Sequence, residues 1–181
     1  MAKKGIIVIA ITATVALITV FAAFGLNCFD QPPPDILEEQ PPHRPYLEEF
    51  LADTGLTFVP ILSNDFAYYK LHTADEQLAG FVFLGTEDGW AGPISLFVKT
   101  DAAGIIQRVH VWHHTETPIY VVGMDAFLAT FAGYKAEAEL IWQEDVHGIT
   151  GATVTAEAII TAVYGPGRAA RQKGVFIQRE R

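Results

Sequence analysis

Residues Ile94–Trp112 read ISLFVKTDAAGIIQRVHVW. Ile94–Lys99 and Ile105–Trp112 are rich in β-branched and aromatic residues, and Asp101-Ala-Ala-Gly104 between them supplies turn chemistry. Together they predict an antiparallel hairpin. Before this hairpin, Phe66–His72 and Leu78–Leu84 have the same strand-like make-up. Leu47, Phe50 and Leu51 lie at helical spacing in YLEEFLADTG from Tyr46, with Gly55 as a stop, and helical spacing returns over Met124–Phe131. Glu139–Trp142 is a candidate strand. A closing helix is predicted over Gly151–Tyr164, with Ala156, Ile159, Ile160 and Val163 on one face and Gly165-Pro-Gly167 as its end. No internal repeat is visible. The fold class is α+β, an antiparallel sheet with packed helices.

The front of the chain differs from the rest. The 181 residues are 50% hydrophobic with a mean hydropathy of +0.24, and the excess lies in Gly5–Leu26, 22 residues without a charge. As a helix this stretch is roughly 33 Å long, enough for a hydrocarbon core of about 30 Å. It exceeds the usual apolar region of a cleaved signal peptide, which predicts a retained transmembrane helix. Lys3 and Lys4 before it, with Asp30 and Asp35 after it, place a short end in the cytoplasm and the rest on the periplasmic or extracytoplasmic side of the cell inner membrane. Asp30–Pro45 holds six of the ten prolines and reads as an extended Pro-rich spacer. The expected organisation is therefore an anchor at 1–29, a spacer at 30–45, a domain at 46–166 and a basic C-terminal tail at 167–181.

Several functions are disfavoured by composition. A net charge of −9 and a pI near 5.0 do not suit a nucleic-acid binder. Cys28 is the single cysteine, so the chain has no internal disulfide and no cysteine set for an iron–sulfur cluster; GLNC is a poor match to a lipoprotein signal. His110, His113 and His114 form a cluster, but strand alternation sends His113 and His114 to opposite faces, which disfavours a shared metal.

The stretch His147-Gly-Ile-Thr-Gly-Ala-Thr-Val-Thr155 precedes the closing helix. Thr150 is a reasonable N-cap, and a capped helix needs no further purpose. A hydroxyl in the first turn is also close to backbone N–H groups and the positive end of the helix dipole, which suits an anion.

These residues resemble the FMN-binding domain family, the periplasmic covalent-flavin subunits of Rnf-type and sodium-pumping quinone reductase complexes. Gly148-Ile-Thr-Gly-Ala-Thr153 resembles the family's flavinylation motif, Gly89-Trp-Ala-Gly-Pro93 its glycine-rich turn, and His114-Thr-Glu-Thr-Pro118 its H-x-E-T-P segment, in the family's order. The resemblance covers about Phe58–Tyr164 and implies FMN joined to Thr153 by a phosphoester, installed by a flavin transferase. It implies that Gly148, Thr150, Gly151 and Ala152 shape the phosphate end. Glu116, Thr117 and Pro118 would form a loop beside the flavin, with Trp90 and Gly92 as further contacts. The alternatives are an exposed loop carboxylate for Glu116 and a core side chain for Trp90. His147 stands where the family has aspartate, and E-T-P continues as I-Y-V-V-G rather than G-L-G.

The function implied is electron relay through covalent FMN, within a membrane redox complex and without nucleic acid. The rival expectation is a structural or sensory subunit that keeps the fold and lacks flavin. An enzyme reducing a small substrate ranks below both, because nothing in the sequence marks a substrate pocket.

Overall fold

The computed structural model describes residues 41–63, 66–139 and 152–176. The apolar span, the spacer up to residue 40, the candidate strand after Glu139, and His147, Gly148, Thr150 and Gly151 lie outside the described residues.

The chain enters through helix α1 (Arg44–Leu51), which starts slightly earlier than Tyr46 because Pro45, with φ already fixed, suits the first turn. Five strands follow: β1 (Thr57–Ser63), β2 (Phe66–His72), β3 (Leu78–Asp88), β4 (Pro93–Asp101) and β5 (Ile106–His114). They form one antiparallel sheet in sequence order. The β4–β5 hairpin turns at Asp101–Gly104, where the Asp101 carboxylate accepts from the N–H groups of Ala103 and Ile105, both at 2.9 Å. β1 was not expected, since Pro60 interrupts its sequence pattern; as an edge strand it tolerates the missing donor.

Strand alternation divides the core between two faces. Leu71, Val82 and Phe97 pack with Leu47, Phe50 and Leu51 of α1. Phe81, Phe83, Leu96 and Val98 pack with the remaining helices, α2 (Met124–Ala129) and α3 (Thr153–Gln172). In β5 the register shifts so that Val111 faces Leu96 while His113 faces Ser95, leaving Trp112 as the extra residue of a bulge. His113 and His114 lie opposite Ser95 and Ile94, successive residues of β4, and so point to opposite faces as alternation predicts.

The end of α3 corrects the expectation. The helix continues through Gly165, Pro166 and Gly167 to Gln172. Pro166 has no N–H for the carbonyl of Ala162, and that carbonyl lies against Gly85 of β3, where a Cβ would overlap it. A Cβ on Gly167 would overlap the carbonyl of Ala136. Gly85 and Gly167 therefore allow backbones to touch, and GPG is not a stop. The stop is Gly174, at φ +66°. Gly174 N–H donates to Arg171 O and Val175 N–H to Ala170 O, both at 3.0 Å, which is a Schellman closure. Phe176 then folds back onto Phe81 and Phe83 and is buried, so residues beyond 166 contribute to the core.

Candidate functional site

The three stretches singled out in the sequence meet at Glu116. The β4–β5 ladder ends at Ile94 and His114, so residues 115–117 leave the sheet before Pro118 opens a short 3-10 turn over Pro118–Val121. On the neighbouring connection, Gly89 N–H donates to Gly92 O at 2.8 Å and closes the turn between β3 and β4. Thr115 Oγ1 donates to Ala91 O at 3.2 Å, and Gly92, at φ +142°, leaves room for that hydroxyl. Glu116 is 5% exposed. Its Oε1 accepts from the N–H of Ala91 at 3.1 Å, and its Oε2 accepts from the hydroxyl of Thr155 at 2.9 Å. One carboxylate thus bridges the Gly89–Pro93 turn, its own H-T-E-T-P segment and the first turn of α3.

Helical geometry separates the two threonines of that turn. Thr155 is in register with Ile159 and Ala162 on the packed face and is 1% exposed. Thr153 shares its face with Glu157 and Thr161, and all three are exposed. Thr153 is exposed at the start of α3, whereas the Thr155 hydroxyl is buried and engaged. The spacing contains this contrast, since Thr155, Ile159 and Ala162 continue the apolar face. The role of Thr155 is the feature that sequence reading missed.

The expected N-cap at Thr150 is replaced by Ala152, which offers no side-chain acceptor; α3 begins at Thr153. Glu116 is neither an exposed loop carboxylate nor directed outward. Trp90 is not a core side chain, being 67% exposed. Thr117 and Pro118 are exposed in extended backbone and at the start of the 3-10 turn, followed by exposed Ile119.

Among the described residues, the displaced protonation equilibria lie on the α1 face. Burial lowers the pKa of His43, whose Nε2 is 2.6 Å from the hydroxyl of Tyr69. Burial raises that of Tyr69 against the opposing effect of Arg44. Burial and then Arg108 lower His110, with Glu49 and Asp125 acting the other way.

Comparison with known proteins gives a family. Residues 89–164 match the FMN-binding domain family, a segment that begins at the Gly89 turn and ends inside α3. Two solved structures are similar. NqrC of Shewanella oneidensis is 21% identical, with a TM-score of 0.44 over 54% of this chain and 53% of that one. A subunit of the Na(+)-translocating NADH-quinone reductase from Parabacteroides distasonis is 19% identical, with a TM-score of 0.49 over 62% of this chain and 65% of that one. The chain thus spans between about half and two thirds of their lengths. No curated protein gives a significant match.

The described residues fit an attached FMN. An attachment residue needs a hydroxyl on an exposed side chain, and Thr153 is an exposed threonine. An isoalloxazine ring needs apolar surface, and Trp90, Ile119 and Val154 are exposed on the segments that adjoin Glu116 and Thr153.

Proposed function

We propose that this protein is a membrane-anchored, extracytoplasmic electron-transfer subunit of a membrane redox complex, carrying FMN through a phosphoester to Thr153. The family match supports FMN as the cofactor. The observation that carries the attachment site is the contrast between exposed Thr153 and buried, hydrogen-bonded Thr155. FMN supplies one- and two-electron chemistry, and the protein holds it and leaves it within reach of partners. Thr153 is the tether. Ala152, with Gly148, Thr150 and Gly151, shapes the phosphate end, and Trp90, Gly92, Glu116, Thr117 and Pro118 belong to the surrounding turns. A covalent tether keeps the cofactor where the cell could not readily replace it.

Attachment requires a flavin transferase and a donor with a cleavable phosphoanhydride. A flavin dinucleotide has one. The bond from threonine Oγ to phosphorus forms, the anhydride bond breaks, a nucleoside monophosphate leaves and the hydroxyl proton passes to the transferase. No electron is gained or lost in this step.

The test is mass spectrometry of the protein from its native membrane, with peptide mapping. The expected result is one FMN phosphoester on Thr153, lost in Thr153→Ala. A native chain carrying no flavin would replace this reading with that of a structural or sensory subunit. Flavin on another residue would move the site.

A further inference from the structure

We propose that Glu116 is the positioning residue of the attachment site. It sets the first turn of α3 against the Gly89–Pro93 turn so that the Thr153 hydroxyl faces a transferase and the attached ring lies against Trp90. This rests on the reading of Thr153 as the attachment residue.

Glu116 is poorly placed for a direct flavin contact. It is 5% exposed, and each carboxylate oxygen already accepts an internal donor, one from Ala91 N–H and one from Thr155 Oγ1. Both donors are next to the residues that matter: Ala91 follows Trp90, and Thr155 stands two positions after Thr153 in the same turn of helix. A Cβ on Gly89 would collide with Oε1, so the turn carries glycine where the carboxylate must approach.

The helix start needs such a partner. Its N-cap is Ala152, with no side-chain acceptor, and the first turn carries no acidic residue of its own. Glu116 brings negative charge to the positive end of α3 from another segment. Thr155→Val leaves a carboxylate oxygen of Glu116 buried without its donor, and Glu116→Gln exchanges the charge-assisted bond for a neutral one. The effect on flavin attachment should therefore run through the Glu116–Thr155 bond. It is not a contact of Glu116 with FMN.

The experiment co-expresses the full-length chain with a flavin transferase and measures the rate of loading per folded molecule and the visible circular dichroism of the attached flavin. The variants are Glu116→Gln, Thr155→Val, their double mutant and Thr155→Ser. Glu116→Gln and Thr155→Val should each slow loading about tenfold, the scale of one charge-assisted hydrogen bond, and alter the dichroism. The double mutant should be no slower than the worse single variant, because both remove one interaction, and Thr155→Ser should restore loading and spectrum.

Multiplicative losses in the double mutant would overturn the proposal. So would wild-type loading per folded molecule in both single variants, which would reduce Glu116 to a stability role. A wild-type chain that loads on a residue other than Thr153, or not at all, defeats the prior reading of the attachment residue, a result the same peptide map separates from the first two.

Discussion

Gly85 of β3 lies against the main-chain carbonyl of Ala162 on α3, the carbonyl that Pro166 deprives of its helical donor. At this point the long helix touches the sheet backbone to backbone. That contact sets the depth at which α3 is seated, and so the height at which Thr153 emerges at its other end.

The first prediction follows from this contact. Gly85→Ala and Gly167→Ala should each destabilise the domain by at least the 1–3 kcal/mol typical of overpacking, because the obstacle is a carbonyl and not a flexible side chain. Gly165→Ala in the same helix meets nothing and should be neutral or stabilise by up to about 1 kcal/mol. Denaturant midpoints of the three variants check this, and equal effects would rule out a close backbone approach as the reason for the glycines.

Phe176 gives a second test. Its ring packs on Phe81 and Phe83 after the Gly174 closure, so Phe176→Ala should cost about 3–5 kcal/mol, as for other buried aromatic truncations. A dispensable tail would instead show an unchanged thermal midpoint.

Without flavin, the two threonines of α3 should differ in stability. Thr153 is exposed, and Thr153→Ala should change stability by no more than about 0.5 kcal/mol. Thr155→Ala removes the donor to buried Glu116 and should cost about 1–3 kcal/mol. Urea titration of transferase-free protein measures both, and the reverse order would contradict the burial of Thr155.

Acid should loosen the α1 face. The pKa values of His43 and His110 are lowered from 6.5 in the folded protein, chiefly by burial. Their neutral forms are favoured by folding, so stability is full above pH 6.5 and falls as pH drops through the lowered folded values. A pH series of unfolding free energies should decline over that window. The decline should be shallower in His43→Gln, and an identical slope would assign it to other groups.

The proposed topology is tested by protease added outside intact cells or spheroplasts. It should cut the Pro-rich spacer and release the domain. A fragment should start no later than Pro41, since His43 bonds Tyr69 and α1 begins at Arg44. Such a fragment should be soluble. Protection of the spacer would reverse the orientation or reveal a tightly covering partner.

The features legible in the sequence are those that depend on near neighbours in the chain. Alternating apolar residues around Asp101–Gly104 specify the β4–β5 hairpin, the runs at Phe66 and Leu78 specify two more strands, and helical spacing specifies α1, α2 and most of α3. The three motifs were also legible as short strings with recognisable chemistry, and the family match begins at one of them. What those strings do to one another was settled by tertiary contacts. Pro60 hid β1 until β2 offered it an edge to pair with. GPG looked like a helix end until the Ala136 carbonyl supplied the close contact that explains Gly167, and Gly85 the close approach to the Ala162 carbonyl that Pro166 leaves without its helical donor. The alternatives weighed for Glu116 and Trp90, an exposed carboxylate and a core indole, are both reversed, the carboxylate going inside because donors 25 and 39 positions away in the chain reach it there, and the indole lying outside. Periodicity records which face a residue occupies within its own element. The burial of a loop carboxylate depends on whether distant segments bring it hydrogen-bond donors, and only the folded chain brings Ala91 and Thr155 to Glu116.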